Sequence, residues 1–164
     1  MRARWSRSFP FTALDTNWDD MPSSSGVYVV RRKKPVPRVA GVDRSGVLYV
    51  GQARNLRSRL YAFWDAYHTA SGFLWEHRHL AGPVFGGTAR TQEDVVRLLA
   101  RLTFRFAEPL RPKQLQRAER ALLFAYINRF GEAPPLNLSL VQRWQSQPNA
   151  ADLRWAEPGV LHRS

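Results

Sequence analysis

Two short runs of β-branched and aromatic residues constrain the fold of this chain more than any other feature. The runs are Gly26–Val30 and Val47–Gly51, and each has the composition of a β-strand. Serines precede the first run, and a basic loop with two prolines, which closes at Asp43–Gly46, separates it from the second. We therefore predict an antiparallel hairpin.

The period of the apolar residues changes from two to about 3.6 just after this hairpin. Leu56, Leu60 and Phe63 recur at helical spacing, so a helix is predicted to follow the second strand. Further along, the pattern predicts a third strand and three more helices, the last of which ends at Gly131. The strand is Leu102–Phe106, and the helices are Phe73–Leu80, Thr91–Ala100 and Lys113–Phe130. The fold class is therefore mixed α and β.

Length and composition limit the organisation of the chain. With 164 residues, of which 44% are hydrophobic, it fits one compact domain. We expect an irregular lead-in over 1–23, a folded domain over 24–140 and a basic, aromatic tail over 141–164. The chain has no cysteine, which excludes disulfides and thiolate metal sites and fits a reducing, intracellular setting. We expect a cytoplasmic, prokaryote-like protein. No apolar run is long enough to span a membrane.

The charge of the chain indicates its partner. Its 25 Lys and Arg against 13 Asp and Glu give a net charge of +12, which attracts polyanions, and nucleic acid is the commonest of these inside cells. The basic run after the first strand is a candidate contact with phosphates. It comprises Arg31, Arg32, Lys33 and Lys34. Solvated surface charge is the alternative interpretation.

Glu119 is the most informative carboxylate. It lies between Leu115 and Leu122 in the apolar stripe of the last helix. A bare carboxylate buried there costs several kcal/mol, so it needs a partner. The sequence leaves two partners open: an arginine in a structural salt bridge, or a divalent cation that is also held by waters and a phosphate.

Two tyrosines and an arginine form a second candidate group. Tyr28 and Tyr49 occupy equivalent positions on the paired strands, so their rings either pack together or share one pocket. Arg59 lies one residue before Leu60, which places it at the margin of the apolar helix face. The alternative for Arg59 is an ordinary solvated helix arginine.

Taken in order, these residues resemble the signature of the GIY-YIG nuclease family. The signature comprises Gly26-Val27-Tyr28, a gap of twenty residues, Tyr49-Val50-Gly51, Ala53-Arg54-Asn55-Leu56 and Arg59-Leu60. Glu119 and Asn137 resemble the metal-binding Glu and the closing Asn of the family. The resemblance covers about residues 24 to 140, and it is the full ordered set that makes it specific.

The resemblance implies a small α+β domain with a three-stranded antiparallel sheet flanked by helices, which cuts DNA phosphodiesters with Mg²⁺ or Mn²⁺. Tyr49, assisted by Tyr28, would orient or deprotonate the attacking water. Arg59 would hold the scissile phosphate. Glu119 would bind the metal, which eases departure of the 3′ oxygen. Asn137 would fix the pocket, and Gln52, Arg54 and Arg57 are expected to contact nucleic acid.

Two positions depart from the pattern of the family. Gln52 stands where many relatives have Lys, and Phe63 stands where they often have Tyr or His. Gln is not a base, so proton transfer falls to Tyr49, Tyr28 or a metal-bound water. The alternative function is a nucleic-acid-binding module of the same fold without chemistry. The sequence leaves single- against double-stranded DNA, RNA as a substrate, and monomer against homodimer open.

Overall fold

A four-stranded antiparallel sheet forms the centre of the protein. The computed structural model describes residues 4–14, 16–69, 91, 93–94, 97, 100–108, 110–137, 148 and 152. Within these residues the strands of the sheet are β1 (Phe9–Pro10), β2 (Gly26–Arg32), β5 (Val47–Ala53) and β6 (Leu102–Ala107). Their order is β1-β6-β2-β5. The predicted mixed α and β class is confirmed, but the expectation of three strands is wrong, because β1 adds a fourth.

The predicted hairpin is present, with an insertion. Strands β2 and β5 pair in antiparallel register, with Tyr28 opposite Gly51 and Val30 opposite Tyr49. Their connection contains a second, two-stranded sheet of β3 (Val36–Arg38) and β4 (Gly41–Asp43), which the sequence analysis treated as loop. Its strands have three residues each, and two of the six strand residues are Pro37 and Gly41, so the period-two signal is too short to detect.

Each face of the sheet is covered by a different helix. Helix α1 (Leu56–Thr69) contributes Leu56 and Leu60 to the core that also contains Tyr28 and Leu48. Helix α2 (Pro112–Phe130) packs its apolar residues against Val27, Val29 and Val50 on the other face. Helix α2 ends as predicted at Gly131, which has a φ of 75°. From Tyr49 onward, successive residues of β5 therefore face different helices; Leu48 and Tyr49 share the α1 face, because the pairing of β2 with β5 shifts register beside them.

The N-terminal segment, expected to be irregular over 1–23, contributes to the core. After β1 the chain forms 3₁₀ turns at Phe11–Leu14 and Trp18–Asp20. The side chains of Phe11 and Met21 are fully buried against the α1 face of the sheet. Elements of two to four residues are too short for a periodicity argument, so their type and bounds could not be predicted from the sequence.

Several predicted features fall outside the described residues. They are the helix over Phe73–Leu80, most of the helix over Thr91–Ala100, the side chain of Phe63 and most of the tail over 141–164. Thr91 and Asp94 do exchange the hydrogen bonds typical of a helix N-terminus. Within the described part of the chain, none of the helices has the length and hydropathy required to span a membrane.

Candidate active site

Tyr28 and Tyr49 lie side by side on the α1 face of the sheet, above Gly51. Their ring centroids are 5.9 Å apart. Tyr28 is fully buried, whereas Tyr49 is partly exposed. A Cβ atom at Gly51 would lie 2.6 Å from Cε1 of Tyr49 and 2.7 Å from the hydroxyl oxygen of Tyr28. The tyrosine pair therefore requires glycine at position 51.

The first glycine of the motif has a similar explanation. A Cβ atom at Gly26 would lie 2.5 Å from the carbonyl oxygen of Ala107 and 2.6 Å from Cδ1 of Leu56. Gly26 therefore lets strand β6 and the first residue of α1 approach β2 closely. Sequence analysis found both glycines through their spacing. Apart from Tyr49, which is two residues before Gly51, the atoms that they accommodate come from distant parts of the chain.

Arg59 joins the tyrosine pair from helix α1. Its Nε donates a hydrogen bond of 2.9 Å to the hydroxyl oxygen of Tyr28. The start of α1 is fixed by Asn55, whose side chain accepts a hydrogen bond of 3.0 Å from the amide of Ser58. Leu60 is fully buried, and Arg59, which precedes it, is partly exposed at the margin of the core, as the spacing predicted.

The protonation states in this cluster follow from burial and from the neighbouring charge. Burial raises the pKa of the Tyr28 phenol, Tyr49 raises it further, and Arg59 offsets only part of the effect. Burial lowers the pKa of Arg59, but its interactions with Tyr28 and Tyr49 outweigh that effect and raise the pKa overall. At neutral pH Tyr28 is therefore a neutral phenol and Arg59 a cation.

Glu119 is held by Gln52, the residue that follows Gly51. The side-chain Nε2 of Gln52 donates a hydrogen bond of 2.9 Å to Oε2 of Glu119 on helix α2. Both side chains are partly buried. Gln52 follows Gly51 on an extended strand, so the acid and the tyrosine pair approach β5 from its two faces. β5 is an edge strand of the described sheet, so both groups lie at the same edge.

Asn137 fixes the same strand through its backbone. Its Nδ2 donates a hydrogen bond of 2.8 Å to the carbonyl oxygen of Val50, and its Oδ1 accepts one of 2.9 Å from the amide of Val50. The amide of Leu136 donates to the carbonyl oxygen of Leu48 at 2.9 Å. These bonds replace the neighbouring strand that an edge lacks. Asn137 thus positions the residues on either side of Val50.

The basic residues expected to contact nucleic acid divide into two groups. Arg54, Lys33 and Lys34 are exposed. Arg57 instead donates hydrogen bonds to the carbonyl oxygens of Met21, at 2.7 Å, and Asp19, at 2.9 Å, so it holds the N-terminal segment against α1.

The four residues of the basic run over 31–34 differ in exposure. Arg31 is only 9% exposed. Arg32 donates to the carbonyl oxygens of Lys34 and Pro35, and burial lowers its pKa. Both arginines lie where β2 still pairs with β6, and Arg31 is buried there whereas Arg32 is only partly buried. Their neighbours Lys33 and Lys34 remain available to a partner.

Asp43 is a buried acid that the sequence analysis did not single out. It accepts hydrogen bonds from three consecutive backbone amides and from the Tyr126 hydroxyl, the latter at 3.0 Å. Burial, reinforced by Asp43, raises the pKa of Tyr126. The signal in the sequence is Asp43-Arg44-Ser45-Gly46, which is typical of an Asx turn. Asp43 connects the second small sheet to α2 and has a structural role.

The capacity of this region for a metal ion rests on one carboxylate. Among the described residues there is no group of three or more His, Cys, Asp or Glu side chains that could hold a metal ion. Mg²⁺ is usually bound by one or two carboxylates together with waters and substrate phosphates. Glu119 beside an edge strand satisfies that minimum, so the residues present fit a metal that is shared with the substrate.

Comparison with known proteins gives no match: no protein family, curated protein or solved structure is similar enough to this chain to assign it. The resemblance to the GIY-YIG nucleases therefore depends on the signature residues and on their placement.

Proposed function

We propose that this protein is a divalent-metal-dependent DNA endonuclease of the GIY-YIG type. The observation that carries the proposal is the contact of Arg59 with the tyrosine pair above Gly51. The signature residues lie far apart in the sequence. This contact brings Tyr28, from the first strand of the signature, and Tyr49, from the second, together with Arg59 of the helix. A guanidinium that is hydrogen-bonded to the buried Tyr28 and lies beside the partly exposed Tyr49 is suited to binding a phosphate.

Arg59 clamps the scissile phosphate and stabilises the negative charge that develops on it in the transition state. Its Nε is already used by Tyr28, which fixes the direction of the guanidinium. Tyr28 is therefore a positioning residue that remains a neutral phenol, and it does not accept a proton.

Tyr49 is the tyrosine that orients the attacking water. It is the partly exposed member of the pair, so part of its side chain is open to a water and a phosphate. Gln52 carries no basic group and does not accept the proton of the attacking water, so among these residues Tyr49 is the candidate acceptor.

Glu119 would hold Mg²⁺ or Mn²⁺ with help from the substrate phosphate. The metal supplies Lewis-acid stabilisation of the leaving 3′ oxygen. The hydrogen bond from Gln52 fixes the carboxylate of Glu119 in one orientation, and Asn137 holds the strand that carries both Tyr49 and Gln52. The net charge of +12 favours DNA as the polyanionic partner.

A cleavage assay with a matched acid variant tests this proposal. The full chain is incubated with supercoiled plasmid and with labelled single- and double-stranded DNA, in Mg²⁺, Mn²⁺ or EDTA. We expect cleavage by the wild type that EDTA abolishes, and a loss of at least about 100-fold in Glu119→Gln. Glu93→Gln changes an acid whose side chain is 71% exposed and should cleave as the wild type does. Equal cleavage by Glu119→Gln contradicts the proposal.

The second candidate function is a nucleic-acid-binding module without chemistry. Gln52 favours it, because a neutral amide occupies the position of a frequent basic residue of the family and uses an oxygen of Glu119. On this alternative the wild type binds DNA with a strong salt dependence, yet no metal supports cleavage. The same assay separates the two functions.

A further inference from the structure

The outer face of the β3–β4 hairpin is apolar and exposed. Its inner face carries Val36 and Asp43, which are buried. Its outer face carries Pro37 opposite Val42. Val39 is at the turn, where its side chain lies near Gly131 at the end of α2. Val39 is 81% exposed and Val42 is 54% exposed, and among the described residues only Tyr61 is a further exposed large hydrophobic. Two of these three side chains thus lie on a single short hairpin.

The hairpin is anchored to the end of helix α2. Arg38 forms an ion pair of 3.0 Å with Glu132, and the other carboxylate oxygen of Glu132 accepts a hydrogen bond of 2.8 Å from the amide of Val39. The amide of Ala40 donates to the carbonyl oxygen of Phe130 at 3.1 Å. The apolar face is therefore presented in a fixed orientation, which reduces the entropic cost of binding a partner.

Exposed cations surround the base of the hairpin. Lys33 and Lys34 precede β3, and Arg44 follows β4; all three side chains are exposed. The amide of Arg32 donates to the carbonyl oxygen of Gly46 at 2.8 Å, which brings the two flanking segments together. The nearby acids are engaged, because Asp43 is buried and Glu132 is paired with Arg38. The hairpin thus combines an apolar face with a cationic base.

We propose that this hairpin enters the major groove of duplex DNA, with Val39 and Val42 against the base edges. Two strands are about 4.8 Å apart, and the major groove is about 12 Å wide and admits a two-stranded ribbon. The cations at the base of the hairpin then meet the phosphates that border the groove. A second copy of the chain is a poor occupant, because it would bring the same cations together.

The apolar face determines which base it contacts. Valine and proline side chains form no hydrogen bonds, and the apolar group in the major groove is the 5-methyl of thymine. The hairpin therefore favours sites that contain thymine. An A-form RNA duplex presents a deep, narrow major groove that side chains do not read, so it is a poor ligand for this surface. This inference takes only one element from the proposed function, namely that the partner is DNA.

Binding to thymine and deoxyuridine duplexes tests this inference. Fluorescence anisotropy is measured in EDTA, so that cleavage plays no part, with a thymine-rich duplex and with the same duplex containing deoxyuridine. The wild type should bind the deoxyuridine duplex about fourfold more weakly for each thymine methyl group that the hairpin buries. The double variant Val39→Ser/Val42→Ser should bind both duplexes alike, while Tyr61→Ser should keep the wild-type preference.

The cationic base of the hairpin is tested separately. Lys33→Ser/Lys34→Ser should lower the slope of log K against log salt by about 1.8, because two phosphates are no longer neutralised, and it should keep the thymine preference. Lys113→Ser, which changes an exposed lysine at the other end of α2, should leave the slope unchanged. All the altered residues are exposed, and an unchanged melting temperature checks that each variant folds.

The outcomes separate this inference from the proposed function. Equal binding of the two duplexes by the wild type, or an unchanged preference in Val39→Ser/Val42→Ser, overturns the hairpin inference even if the protein cleaves DNA. A dimer in sedimentation velocity that Val39→Ser/Val42→Ser abolishes also overturns it, because a second copy is then the occupant. Thymine-dependent binding without any cleavage overturns the nuclease proposal alone.

Discussion

Single residues show why the two glycines of the signature occur where they do. At Gly51 a methyl group would overlap two tyrosines, and at Gly26 it would overlap a strand and a helix. Sequence analysis singled out these two glycines because of their spacing in the signature. It did not predict the reason, since the overlapping atoms of Leu56 and Ala107 become neighbours of Gly26 only in the folded chain.

Tyr28 gives a prediction about alkaline pH at the residue scale. Its pKa is raised in the folded state, mainly by burial, above the unfolded value of about 10. Above about pH 10 the unfolded chain loses this proton while the folded chain keeps it, so stability falls as pH rises. Replacing Tyr28 by Phe should reduce that fall by up to about 1.4 kcal/mol per pH unit.

Urea unfolding of the wild type and Tyr28→Phe between neutral pH and pH 11 measures this effect. The difference in unfolding free energy between the two proteins should be constant below about pH 9 and should shrink above it. A difference that stays constant over the whole range would show that Tyr28 ionises as readily in the folded protein as in the unfolded chain.

The elements of the fold differ in how well the sequence indicated them. Strands β2, β5 and β6 and helices α1 and α2 have enough residues to display a period. The bounds of the three strands and of α2, and the start of α1, were predicted within a few residues. Strand β1 and the β3–β4 hairpin have two or three residues per strand, so their positions depend on tertiary contacts. Arg57 shows the consequence for function. It was expected to contact nucleic acid, but its hydrogen-bond partners lie in the N-terminal segment, whose structure the sequence did not reveal.

Helix α1 and the residues just before it therefore carry a matched pair of arginines. Arg57→Ala removes two hydrogen bonds from a charged donor to the N-terminal segment, and it should lower the unfolding free energy by about 1–2 kcal/mol. Arg54→Ala changes an exposed cation and should weaken DNA binding while stability stays the same. Urea unfolding and fluorescence anisotropy measure the two effects. Destabilisation by Arg54→Ala but not by Arg57→Ala would reverse these roles.

At the scale of the whole molecule, the candidate site spans an edge strand. Arg59 and the tyrosine pair approach β5 from the side of α1, and Glu119 approaches it from the side of α2. The sequence indicated each residue, including the need of Glu119 for a polar partner. It did not indicate that Gln52 is such a partner. Whether the side chain of Gln52 faces α1 or α2 can be decided only once the register of β5 is known.

The central claim is that Arg59 and Glu119 act on the same phosphate, and a double-mutant cycle of single-turnover cleavage tests it most directly. The rate is measured in Mg²⁺ for the wild type, Arg59→Ala, Glu119→Gln and the double variant. Each single change should lower the rate by at least about 100-fold, and the double variant should cleave little more slowly than the slower single variant. Wild-type rates in either single variant, or rate reductions that multiply in the double variant, would contradict the account.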